Sequence, residues 1–374
     1  MIASRQPAEQ YCVKILVSPT EAEPLINATP SRSACVPPNA RPSFIRHLTC
    51  WHRISALSSL WVHRPDLSGY LAQGYLKAEE SLLLAAGVTR YTFGPLVPQG
   101  PSPDIIITTS NTRTEDLRLQ NTQLIIHPNS GYDNFSVDFV RKFKGSIVLG
   151  NALRARAVAD YILQGVLSYA HFSTMPGNSP FPKTTTWDYK RSYPRQLLET
   201  KQALVIGLGH IGKLVKQGLE SLGIRVAVYD PFIMEKTPLP SLTDKDIVCL
   251  CASLNPRSHH LVNQEFLAQL PANCLLINAA RGGLVELSSL IRWLEVNPCA
   301  FALLDVFPDE PFAFEIYREL GNLHCTSHIA GVYNQLPDNM LTFIKNVVAQ
   351  FIADPTSAAG YPILKDRLRE NFLI

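Results

Sequence analysis

Three residues carry the strongest chemical signal in this sequence: Arg281, Glu310 and His328 each stand just beyond a short apolar run that reads as a buried strand. The runs are Cys274–Asn278, Phe301–Asp305 and His324–Thr326. In an open parallel sheet the ligand crevice lies outside the carboxyl ends of the strands, so the three side chains are expected to converge there. Their types suit one job. Arginine presents a fixed cationic fork that matches a carboxylate, histidine exchanges a proton near neutral pH, and a carboxylate can orient that histidine and stabilise its charge.

A second pattern supplies a reaction partner. Gly207-Leu208-Gly209-His210-Ile211-Gly212 follows the apolar run Ala203–Ile206 and opens a helical pattern from about Ile211 to Leu222. In such a loop the first glycine permits the tight turn, the second lets the backbone approach a pyrophosphate, and the third lets helix and strand pack closely. The start of the helix then offers free N–H groups to the anion. Asp230 closes the next expected strand, Arg225–Tyr229, where an acid hydrogen-bonds the ribose hydroxyls and repels a 2′-phosphate. NAD is therefore favoured over NADP.

The elements that must position these residues alternate between strand and helix. Upstream, Asp104–Thr109, Leu124–His127 and Ser146–Leu149 read as strands, with the loop Gly131–Asn134 and a short helical segment between the last two. Glu79–Gly87 and Ala155–Phe172 read as helices, and Met175–Pro194 is a polar connection that cannot sustain an element. Downstream, Ile247–Cys251 is a further strand and Met340–Phe351 a further helix. The first hundred residues are irregular apart from that helix at Glu79–Gly87 and a short strand at Val13–Val17, after which prolines at 24, 30, 37, 38 and 42 punctuate the chain. This rhythm predicts an α/β protein built on parallel sheets.

Composition bounds the reading. At about 150 residues per domain, 374 residues predict two domains, and 46% hydrophobic with 17% charged residues excludes a mainly disordered chain. A net charge of +3, evenly spread, predicts no nucleic-acid surface. With no apolar run near the ~18 residues a membrane span needs and no basic-then-apolar start, a soluble, cytoplasmic protein with no membrane partner is expected. Eight cysteines without a C-x-x-C pair read as reduced and buried. No metal site is expected, because His259-His260 is the only adjacent pair among ten histidines and reads as a helix-start or turn feature.

At this point the sequence resembles the D-isomer-specific 2-hydroxyacid dehydrogenases. The resemblance is carried by GLGHIG with Asp230, by NAARGGLVE at 278–286, LDVFPDEP at 304–311 and SHIAG at 327–331, and more weakly by SGYDN at 130–134 and VAD at 158–160. It implies an NAD-dependent oxidoreductase that interconverts a small D-2-hydroxy acid and its 2-oxo acid. It also implies a Rossmann-type, doubly wound NAD-binding domain over 153–333. A flavodoxin-like substrate domain would span 1–152 and be completed by 334–374, with a homodimer as the expected assembly. By this resemblance Arg281 binds the substrate carboxylate, His328 is the general acid/base and Glu310 holds it in its working tautomer. Gly207, Gly209, His210, Ile211, Gly212 and Asp230 hold the cofactor, as do Ala252, Ala279, Asp305 at the nicotinamide carboxamide, the turn ending at Gly331, and Ser130 from across the cleft.

Four positions depart from the family pattern: Ser253 and Ser327 stand where proline is usual, Asn129 where glycine is frequent, and His210 where arginine is commoner. Two alternatives stay open. A phosphorylated substrate such as 3-phosphoglycerate or 4-phosphoerythronate would need further cations, for which Arg113, Arg154 and Arg156 are candidates. A non-catalytic NAD-sensing module, like the corepressors of this family, would keep the same Arg, Glu and His.

Overall fold

Leu124–His127 and Ile247–Leu250 are apolar or buried without interruption because helices or loops cover both faces of the sheets they belong to. The computed structural model describes residues 59–95, 101–170, 196–231, 238–317, 319–355 and 360–370, all within one compact unit that begins at Leu57. The expected strand at Val13–Val17, the proline-rich stretch and the whole connection Met175–Pro194 lie outside the described residues.

The first part of the chain runs β1 (Trp61–Arg64), α1 (Tyr75–Ala85), β2 (Arg90–Phe93), β3 (Ile105–Ile107), β4 (Leu124–His127), α2 (Val137–Lys142), β5 (Ser146–Leu149) and α3 (Asn151–Tyr169). Its five strands form one parallel sheet in the order β2-β1-β3-β4-β5, the flavodoxin-like order. Strand alternation divides the apolar residues between two cores. Val62, Ile105, Ile107, Leu124, Ile126 and Val148 face one side, and Ile106, Ile125, Ile147 and Leu149 the other.

The second part continues with β6 (Gln202–Ile206), α4 (His210–Ser221), β7 (Arg225–Tyr229), β8 (Ile247–Leu250), α5 (Gln264–Leu267), β9 (Leu275–Asn278), α6 (Leu287–Val296), β10 (Phe301–Leu304) and β11 (Leu323–Cys325). These strands form a parallel sheet of six in the order β11-β10-β9-β8-β6-β7. The same alternation builds two cores, with Leu204, Val248, Leu276 and Ala302 on one face and Val205, Cys249, Ile277 and Leu303 on the other. The chain is thus α/β, with a doubly wound sheet in each lobe.

Two helix passages join the lobes. Helix α3 leaves β5 of the first sheet and buries Val158, Ala159, Ile162 and Val166 against the second. Helix α7 (Leu336–Ala353) returns to the first sheet, where Ile344, Val347, Val348 and Phe351 join its core, and α8 (Leu364–Glu370) packs Leu364 and Leu368 on the opposite face. No helix among the described residues is long and apolar enough to cross a membrane.

Three expectations need correction. Around the expected helix, now α1, the chain between residues 61 and 93 is not irregular: it also holds β1 and β2. Strand β1 ends in His63-Arg64, polar types that mask its burial in the sequence. Fully buried Arg64 is nonetheless paired with Glu79 at 2.6 Å, and Tyr91 also donates to that carboxylate at 2.7 Å. Helix α1 accordingly starts at Tyr75, a turn before Glu79. Among the described cysteines all are free, but Cys299 is exposed rather than buried.

Candidate active site

The order of each sheet reverses at one strand, and a parallel sheet opens a crevice beyond that point. In the first sheet the crevice lies past β1 and β3, in the second past β6 and β8. The two crevices face each other. A cavity of about 350 Å³ is walled by Ser68, Ser110 and Asn129–Asp133 from the first lobe and by Ala279–Arg281, Glu310, His328 and Ala330–Val332 from the second. All three residues expected to do chemistry therefore line one space.

His328 and Glu310 form a pair, with Nδ1 of the ring 2.7 Å from Oε2 of the carboxylate. The other carboxylate oxygen accepts from the Phe307 amide at 3.0 Å, so Glu310 is held at both ends. Burial pushes its carboxyl up, but the hydrogen bonds from His328 and Phe307 and the charges of His328 and Arg281 outweigh it and hold the group below the usual glutamate value. The carboxylate stays ionised and keeps a proton on Nδ1. Nε2 is left as the nitrogen that can exchange a proton with a ligand.

The backbone around His328 is fixed from beneath. His328 has φ 57°, in the left-handed region, and its amide donates to the Asp305 carbonyl at 2.8 Å. The fully buried Asp305 carboxylate accepts from Thr326 Oγ1 at 2.6 Å and from the Ile329 and Ala330 amides, each at 2.8 Å. Asp305 reaches the cavity wall, yet the bonds made by its carboxylate run to the histidine turn.

Arg281 is reached from the opposite lobe. Its Nε donates to Asp133 Oδ1 at 2.7 Å and its Nη1 to the Ala280 carbonyl at 2.8 Å. Burial raises the Asp133 carboxyl, but the adjacent guanidinium overrides that and holds it below the usual aspartate range. Nη2 lies against Gly131, where a Cβ would sit 1.1 Å from it. The glycine is what lets the guanidinium pass. The loop carrying Gly131 is held in turn by His127, whose Nε2–H donates to the Gly131 carbonyl at 2.8 Å while Nδ1 meets Thr108 Oγ1 at 2.9 Å. Complete burial lowers the His127 pKa to about 4, so this ring is neutral.

A second cavity, of about 310 Å³, adjoins the first along Cys251–Ser253. It is lined by Gly207–His210, Tyr229 and Asp230. Gly212 packs helix to strand so closely that a Cβ would fall 1.9 Å from the Gly207 carbonyl oxygen, whereas a Cβ on Gly209 would meet nothing within 4 Å. That open space, beside the uncapped start of α4, is a cradle for a phosphate group. Asp230 is buried, and one of its oxygens accepts from the Leu208 amide at 2.7 Å, tying the acid to the glycine turn. The cradle and the acid fit a dinucleotide.

Residues 170–330 match the family model described as D-isomer specific 2-hydroxyacid dehydrogenase, NAD binding domain. Over that segment the chain is similar to the NAD-binding domain of this family. It is 28% identical over 237 residues to an erythronate-4-phosphate dehydrogenase of Wigglesworthia glossinidia brevipalpis, a match covering 61% of this chain and 57% of that one. It is 29% identical over 259 residues to a D-3-phosphoglycerate dehydrogenase of Methanocaldococcus jannaschii (66% and 48% covered). An (S)-sulfolactate dehydrogenase of Chromohalobacter salexigens matches at 29% over 263 residues (64% and 82% covered). The chain spans about half the length of the first two of these relatives. The D-lactate dehydrogenase structure from Aquifex aeolicus, complexed with NAD and lactic acid, superposes with a TM-score of 0.63 at 18% identity, covering 82% of this chain and 99% of that one, which shows the shared fold.

Against the pattern of the D-isomer specific 2-hydroxyacid dehydrogenases, the structure brings together more than the motifs named. Ser130, Ala252, Ala279, Asp305 and Gly331 line the first cavity with Arg281, Glu310 and His328, and Ile211 lies there too. Gly207, Gly209, His210 and Asp230 line the second, while Gly212 acts through packing. Of the three candidate cations, Arg113 and Arg156 pair with surface acids at 2.9 and 2.8 Å, but Arg154 lines the first cavity. It sits in the first turn of α3, just past β5, and the strand-end argument applied to that strand would have found it. Asp133 and His127 also stand at or after a strand end and were legible in that sense. Arg367, from α8, lines both cavities and carries no sequence signal. His259 and His260 stack at 3.8 Å in a turn, and no metal-binding cluster occurs among the described residues.

Proposed function

We propose that this chain is an NAD-dependent oxidoreductase interconverting a small D-2-hydroxy acid and its 2-oxo acid. The observation that carries the reading is the 2.7 Å His328–Glu310 pair sharing one cavity with Arg281. The lobe built from residues up to about 152 and from about 334 onward serves as the substrate domain, and 153–333 as the NAD-binding domain. A homodimer is the assembly we propose.

Arg281 binds the substrate carboxylate and, as a fixed cation, draws charge onto the neighbouring keto oxygen. His328 delivers a proton from Nε2 to that oxygen during reduction and removes it from the hydroxyl during oxidation. Glu310 fixes the ring and stabilises its protonated form. Ser130, Ala252, Ala279 and the turn to Gly331 bound the nicotinamide side of the cleft, and the glycine loop with Asp230 bounds the adenosine side. NAD, when bound, supplies the hydride acceptor, and its reduced form the donor. Drawing the lobes together over the ligand excludes water from the transfer.

A second reading, a substrate with a further anionic group, is favoured by Arg154. Its guanidinium donates to the Gly331 carbonyl at 3.1 Å and to Asn129 Oδ1 at 3.2 Å, which holds a second cation within the cavity that contains Arg281. The test for both is NADH oxidation at 340 nm against glyoxylate, hydroxypyruvate, pyruvate, phenylpyruvate, 2-oxoglutarate and 3-phosphohydroxypyruvate. A preferred acid whose turnover is abolished by Arg281→Ala supports the dehydrogenase. A preference for the phosphorylated acid that Arg154→Met removes supports the second reading. NADH binding without turnover on any acid would overturn both and favour a sensing role.

A further inference from the structure

Helix α8 belongs to the first lobe, where Leu364 and Leu368 are buried in its core and Ile363 bridges to Val148 of β5. Arg367 lies on that helix between the two leucines and reaches out of the lobe. Its guanidinium passes over the Tyr132 ring, 5.5 Å from the centroid, and Nη2 donates to Ser253 Oγ at 3.0 Å. Ser253 follows β8 of the second sheet, so this bond crosses the cleft.

The place where Arg367 ends up is distinctive. It lines both cavities, and thus stands at their junction beside the glycine loop. Its Nε is buried with no hydrogen-bond partner, a donor left without a protein acceptor. That cavity's cations are Lys213, Arg257 and Arg367, and of these only Arg367 comes from the first lobe; the loop's own ionisable side chain is His210. Burial, together with the charges of Arg367 and Lys213, lowers the His210 pKa and keeps that ring neutral.

We propose that Arg367 is a cofactor-positioning residue: it supplies a cation from the first lobe to the cavity of the glycine loop, and binds the pyrophosphate of the dinucleotide across the cleft. This rests on the proposed dinucleotide-dependent function. An arginine suits the role because its planar fork donates to two phosphate oxygens at once. Because α8 is anchored in the first lobe, the contact also makes cofactor affinity depend on how the two lobes are set.

The test is equilibrium binding, read by fluorescence titration and calorimetry on the full chain, of NADH and of ADP-ribose, which keeps the pyrophosphate but has no nicotinamide. Arg367→Gln is expected to raise both dissociation constants about tenfold and Arg367→Lys, which keeps the charge but not the fork, to restore only part of the loss, with melting temperatures unchanged. Wild-type protein that binds neither ligand would overturn the dinucleotide reading itself. Wild-type binding with no change in Arg367→Gln would overturn only the role of Arg367, as would a loss confined to the KM of the oxo acid. Should the variant not fold, phenylglyoxal labelling of the wild type decides the matter. ADP-ribose is expected to protect Arg367 at least fivefold, and equal labelling with and without it overturns the proposal.

Discussion

Asp133 of the first lobe and Arg281 of the second meet at 2.7 Å, an ion pair that spans the cleft in which the chemistry is proposed to occur. With Asp133 on Nε and the Ala280 carbonyl on Nη1, the guanidinium plane is held from two sides. A carboxylate ligand would meet a preset fork rather than a mobile side chain, and such preorganisation lowers the entropic cost of binding.

The first prediction follows from that arrangement. Asp133→Asn removes the charged acceptor and frees Arg281 to swing, so KM for the preferred oxo acid should rise about tenfold, equivalent to ~1.4 kcal/mol. The NADH dissociation constant should not move. Steady-state kinetics beside a fluorescence titration check this, and an unchanged KM would show that Asp133 does not orient the arginine.

Loss of the proton-transfer pair should act on turnover instead. His328→Ala is expected to lower kcat by about 10²–10⁴, the range typical of general acid/base groups, while leaving NADH affinity within a factor of two. Glu310→Gln keeps the shape of the site but removes the charge facing Nδ1, and an intermediate loss is expected. A His328→Ala enzyme with full turnover would remove this residue from the mechanism.

Cofactor preference should lie with Asp230. Its replacement by alanine takes away the negative charge beside the glycine turn and the acceptor of the Leu208 amide. The ratio of kcat/KM for NADH over NADPH is expected to fall at least tenfold. Measuring both cofactors on one preparation of each protein decides it, since a preserved ratio would place the discrimination elsewhere.

Stability should depend on pH through His127. Its folded pKa, lowered by burial to about 4, lies below the ordinary histidine value of 6.5, so the unfolded chain binds a proton that the folded one does not. The stabilisation is complete above pH 6.5 and is lost as pH falls towards 4, at up to ~1.4 kcal/mol per unit and about 3 kcal/mol in all. Urea unfolding between pH 7 and 5 should therefore show a flatter pH dependence in His127→Asn than in the wild type. Parallel curves would assign the acid sensitivity to other groups.

How much of this was legible in the sequence depends on how far apart the interacting residues lie. Leu124–His127 and Ser146–Leu149 fold as strands over the bounds their patterns predict, because near-complete burial in a two-sided parallel sheet writes itself into local composition. Arg281, Glu310 and His328 could be picked out for the same reason, since each follows such a strand and the crevice of an open sheet lies at that end. Strand β1 escaped because the buried arginine at its end is compensated by Glu79, fifteen residues away on another element.

What only the tertiary structure decided is the traffic across the cleft. Asp133 meets Arg281 over a separation of 148 residues, and Arg367 meets Ser253 over 114. Neither pair leaves a periodic or compositional trace, because each forms only when α3 has carried the chain from one sheet to the other and α7 has brought it back. A sequence records what each segment buries against its own sheet, whereas contacts between two sheets are set by the packing of whole lobes.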